Sequence, residues 1–264
     1  MSAPPPTSAP PPTVVFVHAH PDDEAIFTGG TMALLAAAGH RVVLVIATGG
    51  ELGEDPHGPG DADALAARRR AETQAAARLL GVHRVALLDY RDSGMAGDPA
   101  NHDPASFWSA DVDVAAKTVA TILEEEGAAA AVGYDERGIY GHPDHVQVHR
   151  VTRRAAEMAG VATVYDATVD REYLHFVETH LVEEAVLTGD LGLVRSRIGL
   201  PTVAIAHTVD VRSVLPVKRA AMAAHASQIP ETTSALQLPE DRFADVYGWE
   251  WYARTGPPGP LEAL

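Results

Sequence analysis

Hydrophobic positions in this chain fall into short unbroken runs, separated by stretches in which they recur every three or four residues. The runs Thr13–Val17 (TVVFV), Arg41–Thr48 (RVVLVIAT), Val82–Leu88 and Ala128–Tyr134 have the length and β-branched content of buried strands. Between them Ala25–Gly39, Ala62–Leu80, Val112–Glu126 and Val146–Ala159 read as helices, with Gly39 and Gly81 placed as C-terminal caps. Thr28-Gly29-Gly30 loosens the start of the first helix. Strand, polar loop and helix repeat, which predicts an α/β fold with a Rossmann-like, mostly parallel sheet and helices on both faces. The last third is less regular. Ala162–Thr168 and Thr202–Val211 read as strands, Asp170–Leu187 and Val214–His225 as helices, and Phe243–Tyr252, with its two tryptophans, as a segment packing back onto the body.

Polar stretches follow the predicted strands, at the carboxyl edge where ligands bind in open α/β sheets. Gly49–Asp61 and Asp89–Asp111 are rich in Gly, Pro and acids, and loops of the second one's length are usually functional. Two further stretches resemble each other: His20-Pro21-Asp22-Asp23-Glu24 after the first strand and His142-Pro143-Asp144-His145 after the fourth. Packing alone does not explain so much charge beside buried strands. Meeting at one edge, these loops can supply two imidazoles and a carboxylate to one metal ion and leave a position for water, the pattern of a catalytic zinc site. Carboxylates and imidazoles left over can take a proton from water and stabilise an oxyanion. The count of groups points to a metal-dependent acyl hydrolase, and phosphoester hydrolysis is chemically open as well. His145 and His149, four residues apart, form a rival helical metal pair.

Composition narrows the classes. A net charge of −16 argues against general nucleic-acid binding and against an anionic membrane surface. Cysteine is absent, so any metal must be held by His and carboxylate. No run approaches the ~18 apolar residues of a membrane span, and Met1–Pro12 (MSAPPPTSAPPP) lacks the pattern of a secretory signal. The expectation is a cytoplasmic protein with a disordered Pro-rich extension over residues 1–12 and a single domain over 13–264. No repeat or linker divides the chain.

Together, AHPDDE (Ala19–Glu24) and YGHPDH (Tyr140–His145) resemble the LmbE and PIG-L family of zinc-dependent N-deacetylases. Thr48-Gly49-Gly50-Glu51, Arg91–Met95 (RDSGM) and Lys218–Met222 (KRAAM) extend the likeness from Val14 to about His225. RDSGM is most similar to the mycothiol branch, which contains both N-acetylglucosaminyl-inositol deacetylases and mycothiol S-conjugate amidases. The resemblance implies His20, Asp23 and His145 as zinc ligands, although iron(II) suits the same donors. It implies Asp22 as general base and His142 as the group that stabilises or protonates the intermediate, with Asp144 tuning His142. Tyr140 would lie over the site and polarise the carbonyl, and Arg69, Asp92 and Met95 would contact the sugar-inositol. The substrate implied is a small amino sugar or, alternatively, a thiol conjugate; a non-catalytic metal- or sugar-binding module is the third reading. Gly53–Leu65 and Asp98–Ser109 depart from the mycothiol deacetylase pattern and should border the pocket, so the substrate stays open.

Overall fold

The computed structural model describes residues 11–54, 61–180 and 198–264. Most of the proline-rich start, part of the loop after the second strand and the end of the predicted helix Asp170–Leu187 lie outside them.

Among the described residues, seven strands form one sheet in the order β3-β2-β1-β4-β5-β7-β6. They are β1 (Thr13–His18), β2 (Arg41–Thr48), β3 (Arg84–Tyr90), β4 (Ala128–Tyr134), β5 (Thr163–Thr168), β6 (His207–Asp210) and β7 (Trp249–Thr255). The first five are parallel, in the order of a doubly wound sheet, and the strand order reverses between β1 and β4. All six residues of β1 are buried, as are all but the first of β2. That is why both read as continuous apolar runs: a parallel strand covered on both faces has no solvent side to alternate with.

The helices are α1 (Asp23–Phe27), α2 (Gly29–Ala37), α3 (Ala62–Leu79), α4 (Val112–Glu125), α5 (Gly138–Gly141), α6 (Pro143–Ala159), α7 (Arg171–His180), α8 (Leu215–Ala224), α9 (Ser234–Gln237) and α10 (Glu240–Tyr247). One layer packs α4 on α6 and the other packs α2 and α3 on α8, as right-handed crossovers require.

Three expectations shift. The first predicted helix breaks into α1 and α2 at Thr28 (φ −138°), whose hydroxyl is tied to His18 Nε2 and to Glu24 O. The helix expected from Val146 begins at Pro143, since proline at the first position needs no hydrogen-bond partner for its nitrogen. The terminal aromatic segment does more than pack onto the body. Its residues Trp249–Thr255 form β7, antiparallel between β5 and β6. The strand was hidden because Glu250, flanked by two tryptophans, is itself buried, so its polar character does not mark a solvent face.

Candidate active site

The loops after β1 and β4 meet beside the point where strand order reverses. His20, Asp23 and His145 come together there: Asp23 Oδ2 lies 3.4 Å from His20 Nδ1 and 3.3 Å from His145 Nε2. Asp23 opens α1 and its carboxylate accepts the His20 backbone N–H at 2.8 Å, while His145 sits in the first turn of α6. All three are buried. Their spacing equals the edge, about 3.3 Å, of a tetrahedron with bonds of roughly 2.0–2.1 Å, so this donor set fits a zinc-sized cation. The group is able to bind a metal.

Electrostatics describe the same centre. Burial opposes charging His20, but Asp92, Asp144 and Asp23 outweigh it and raise its pKa well above the usual 6.5. Burial likewise works against an ionised Asp23, yet His145 and His20 hold its carboxyl well below the ordinary range. Three buried carboxylates around two imidazoles are a cavity for positive charge.

His20 is used at both ring nitrogens. Its Nε2 lies 3.2 Å from Asp144 Oδ2 and 3.6 Å from Asp92 Oδ1. Asp144 is in turn clamped by Ser93, whose backbone N–H donates to Oδ2 at 2.9 Å and whose hydroxyl donates to Oδ1. Asp144 meets His142 in a different way, through its backbone N–H, which donates to His142 Nδ1 at 3.1 Å. His142 thereby caps the N-terminus of α6, and with Nδ1 accepting, the ring proton resides on Nε2. Burial first, then the neighbouring His20 and His145, lowers the His142 pKa to about 2. It is a neutral donor. His20, Asp92, His142 and Asp144 also cluster closely enough to share a cation, but most of their acceptor atoms already receive protein hydrogen bonds.

Asp22 stands beside the metal-ligand group with φ 108°, a strained angle for a side chain bearing a Cβ. Several contacts hold it there. Its N–H donates to Glu24 Oε2 at 3.0 Å, and its carbonyl accepts the amides of Ala25 and Ile26. Arg69 Nη2 donates to Pro21 O at 2.5 Å and to Asp22 Oδ2 at 3.1 Å, and Nη1 to Gly50 O at 2.6 Å. Of the three consecutive arginines Arg69 faces the site, buried beneath Asp22, while Arg70 pairs with Asp89. Gly50 makes room for it: with φ 64°, a Cβ there would sit 2.3 Å from Arg69 Nη1. Loss of water, with Asp23 and Glu24 adding to it against Arg69 and His225, raises the Asp22 pKa to about 6.

Tyr140 Oη is 3.3 Å from His145 Nε2, and its ring lies 4.7 Å from that imidazole. Asp92 is buried, its carboxylate accepting from Gly94 N at 2.8 Å, whereas Met95 is exposed on the same loop. His149 is separate from this centre. Its Nδ1 bonds Tyr134 O at 2.8 Å and lies 3.6 Å from Asp166, so the His145–His149 pair is not assembled.

Sequence reading missed the supports. Glu24 and His225 are both fully buried and paired at 2.5 Å, behind the loop that carries Asp22. Ser93 was quoted only as part of RDSGM, and Glu51 receives the Asp92 N–H at 3.1 Å. Lys218 and Glu250 form a buried ion pair at 2.6 Å. Lys218 is one of the two lysines in the chain, a signal that was legible; nothing in the pattern singled out Glu250.

Residues 15–156 match the family described as PIG-L, GlcNAc-PI de-N-acetylase. A 1D-myo-inositol 2-acetamido-2-deoxy-alpha-D-glucopyranoside deacetylase from Salinispora arenicola is 39% identical, covering 94% of this chain and 86% of the relative. A protein of the same name from Acidothermus cellulolyticus is 40% identical over 90% and 87%. Among solved structures, an N,N'-diacetylchitobiose deacetylase from Pyrococcus horikoshii superposes with a TM-score of 0.60 at 23% identity, covering 92% and 84%. The 4-carboxy-2-hydroxymuconate hydratase GalB from Pseudomonas putida does so with the same TM-score at 21%, covering 94% and 97%. One fold thus carries different reactions, and the reaction must be argued from the site. With half its length matched by the family and close relatives over nearly all of it, this chain belongs to the PIG-L family of de-N-acetylases.

Proposed function

We propose that the protein is a zinc-dependent hydrolase that removes the N-acetyl group of an N-acetylglucosaminyl substrate, with N-acetylglucosaminyl-inositol as the leading candidate. The observation that carries this is the convergence of His20, Asp23 and His145 at 3.3–3.4 Å with Asp22 beside them. Named relatives supply the sugar. His20, Asp23 and His145 would hold the cation, which would supply Lewis acidity and make hydroxide available near neutral pH.

The chain's own groups do the rest. Asp22, with a pKa of about 6, is ionised at neutral pH and takes a proton from the attacking water. Arg69 occupies one of its oxygens and fixes its direction. As water adds to the acyl carbon, negative charge grows on the former carbonyl oxygen. His142, neutral with its proton on Nε2, donates to that oxygen, and the Tyr140 hydroxyl over the site assists. The C–N bond then breaks, the amine leaves with the proton held by Asp22, and acetate remains. Asp144 orients His20 through Nε2, as carboxylates behind metal-bound histidines do. Asp92 and Met95 border the side on which the sugar would lie, and Arg69 acts on it through Asp22.

No helix among the described residues is long and apolar enough to cross a membrane, and we assign the reaction to the cytoplasm and to one domain spanning residues 13–264. The test is amine release from N-acetylglucosaminyl-inositol by metal-stripped protein before and after one equivalent of zinc. Zinc-dependent release is expected; tight zinc binding with no release would overturn the substrate.

A further inference from the structure

A cavity of ≈ 360 Å³ opens beside Asp22, Asp23 and Tyr140. Its walls come from the C-terminal third: Leu174 of α7, Val246 and Tyr247 of α10, and Trp249 and Trp251 of β7, with Ile26 and Phe27 closing the α1 side. Lys218 and Glu250 also reach it, but they neutralise each other at 2.6 Å. Glu250 is further satisfied by the amides of Gly30 and Thr31 at 2.8 Å. The lining is therefore apolar in effect. Asp92, Ser93 and Asp144, the polar groups gathered at the Nε2 edge of His20, take no part in it.

Two features mark the cavity as built. Ile139, a β-branched residue in its wall beside Tyr140, is held at φ 65°, an angle such residues avoid. Its amide donates to Asp135 Oδ1 at 3.1 Å and its carbonyl accepts Gly199 N at 2.7 Å. The size is the second feature. An acetyl methyl needs roughly the 30 Å³ share of one water, and an apolar cavity of about 150 Å³ already takes a benzene ring.

We propose that this cavity receives the acyl chain of the substrate, and that the enzyme hydrolyses N-acyl amino sugars with an extended apolar chain, hexanoyl to octanoyl, as well as the N-acetyl compound. The proposal rests on the N-acyl hydrolase reading above, but not on acetate being the natural product. The site has two walls of opposite character. A hydroxyl-rich amine half fits the polar wall and an aliphatic chain fits the other, with the scissile carbonyl between them at Asp22 and Tyr140. The reaction is unchanged: water adds to the acyl carbon, the C–N bond breaks, the amine takes the proton, and a fatty carboxylate replaces acetate.

The experiment compares kcat/KM of the zinc-loaded protein for glucosamine N-acylated with acetyl, butanoyl, hexanoyl and octanoyl groups. A rise of about fourfold per methylene is expected until the wall is reached, and Val246→Phe should lower the octanoyl-to-acetyl ratio at least tenfold. Turnover of acetyl with a steady fall toward octanoyl would overturn the acyl assignment and leave the deacetylase reading standing. Preference for an octyl glycoside of N-acetylglucosamine over N-octanoylglucosamine would place the amine half in the cavity and overturn it as well. If none of these is hydrolysed, N-acetylglucosaminyl-inositol is the control that decides the hydrolase reading, and tryptophan fluorescence of a Trp108→Phe protein, which reports Trp249 and Trp251, decides the cavity. Quenching by N-octanoylglucosamine, not by N-acetylglucosamine, supports an acyl-chain site; no response to either overturns it.

Discussion

The loops after β1 and β4 carry the same tripeptide, His-Pro-Asp, and use it in opposite ways. In the first, His20 turns Nδ1 toward Asp23, and Asp22 projects from a strained backbone with Arg69 on its carboxylate. In the second, His142 is folded back as a helix cap with Nδ1 engaged, and the aspartate is the clamped member, bound by Ser93 and resting on His20. The difference lies in where the helix starts. Pro143 is the first residue of α6, so His142 is the cap by position. Pro21 lies two residues before α1, so Asp22 occupies the cap and is left at φ 108° without a side-chain capping bond. Two residues of offset decide which member of the tripeptide caps the helix.

The sharpest way to break the pairing is to neutralise each aspartate in turn. Asp22→Asn should lower kcat by about 10²–10⁴-fold, the scale of a lost general base, while zinc stoichiometry by metal analysis stays at one. The pH profile sharpens this. Because the Asp22 pKa is raised to about 6, its basic form is lost as pH falls, so wild-type kcat/KM should drop tenfold per unit below that value. The variant should lack this limb.

Asp144→Asn should act on metal rather than on proton transfer. By weakening the partner of His20 Nε2 it should cost about 10–100-fold in zinc affinity, measured by chelator competition, with turnover at saturating zinc much less affected. Equal loss in the two variants at saturating metal would show that the two tripeptides do not divide labour.

The smallest effect concerns protons released on metal binding. Asp92, Asp144 and Asp23 raise the His20 pKa well above 6.5 despite burial, so at pH 7 the ring holds a proton that a cation must displace. Zinc affinity should therefore weaken as pH falls, by up to tenfold per unit below that pKa. Calorimetry in buffers of different ionisation enthalpy should find about one proton released at pH 7.

The five parallel strands and the two polar loops were legible in the chain because each is a local pattern. A strand buried on both faces is a run of apolar residues wherever it lies in the sequence, and donor residues bracketed by proline keep their spacing whatever surrounds them. Arg69 shows where this stops. Three adjacent arginines look alike, and only the packing of α3 beneath Gly50 decides that the middle one reaches Asp22. Pairings such as Glu24 with His225, 201 residues away, leave no periodic trace.

By itself, then, the amino-acid sequence determined the parallel half of the fold, the edge at which chemistry occurs and the residue types able to hold a cation, all set by short-range spacing and burial. Tertiary structure alone decided which nitrogen of His20 faces Asp23, which aspartate is clamped by Ser93, and that β7 and α10 wall an apolar cavity beside them. Those outcomes depend on direction and on contact between distant segments, and the order of residues along a chain encodes neither until the sheet has brought them together.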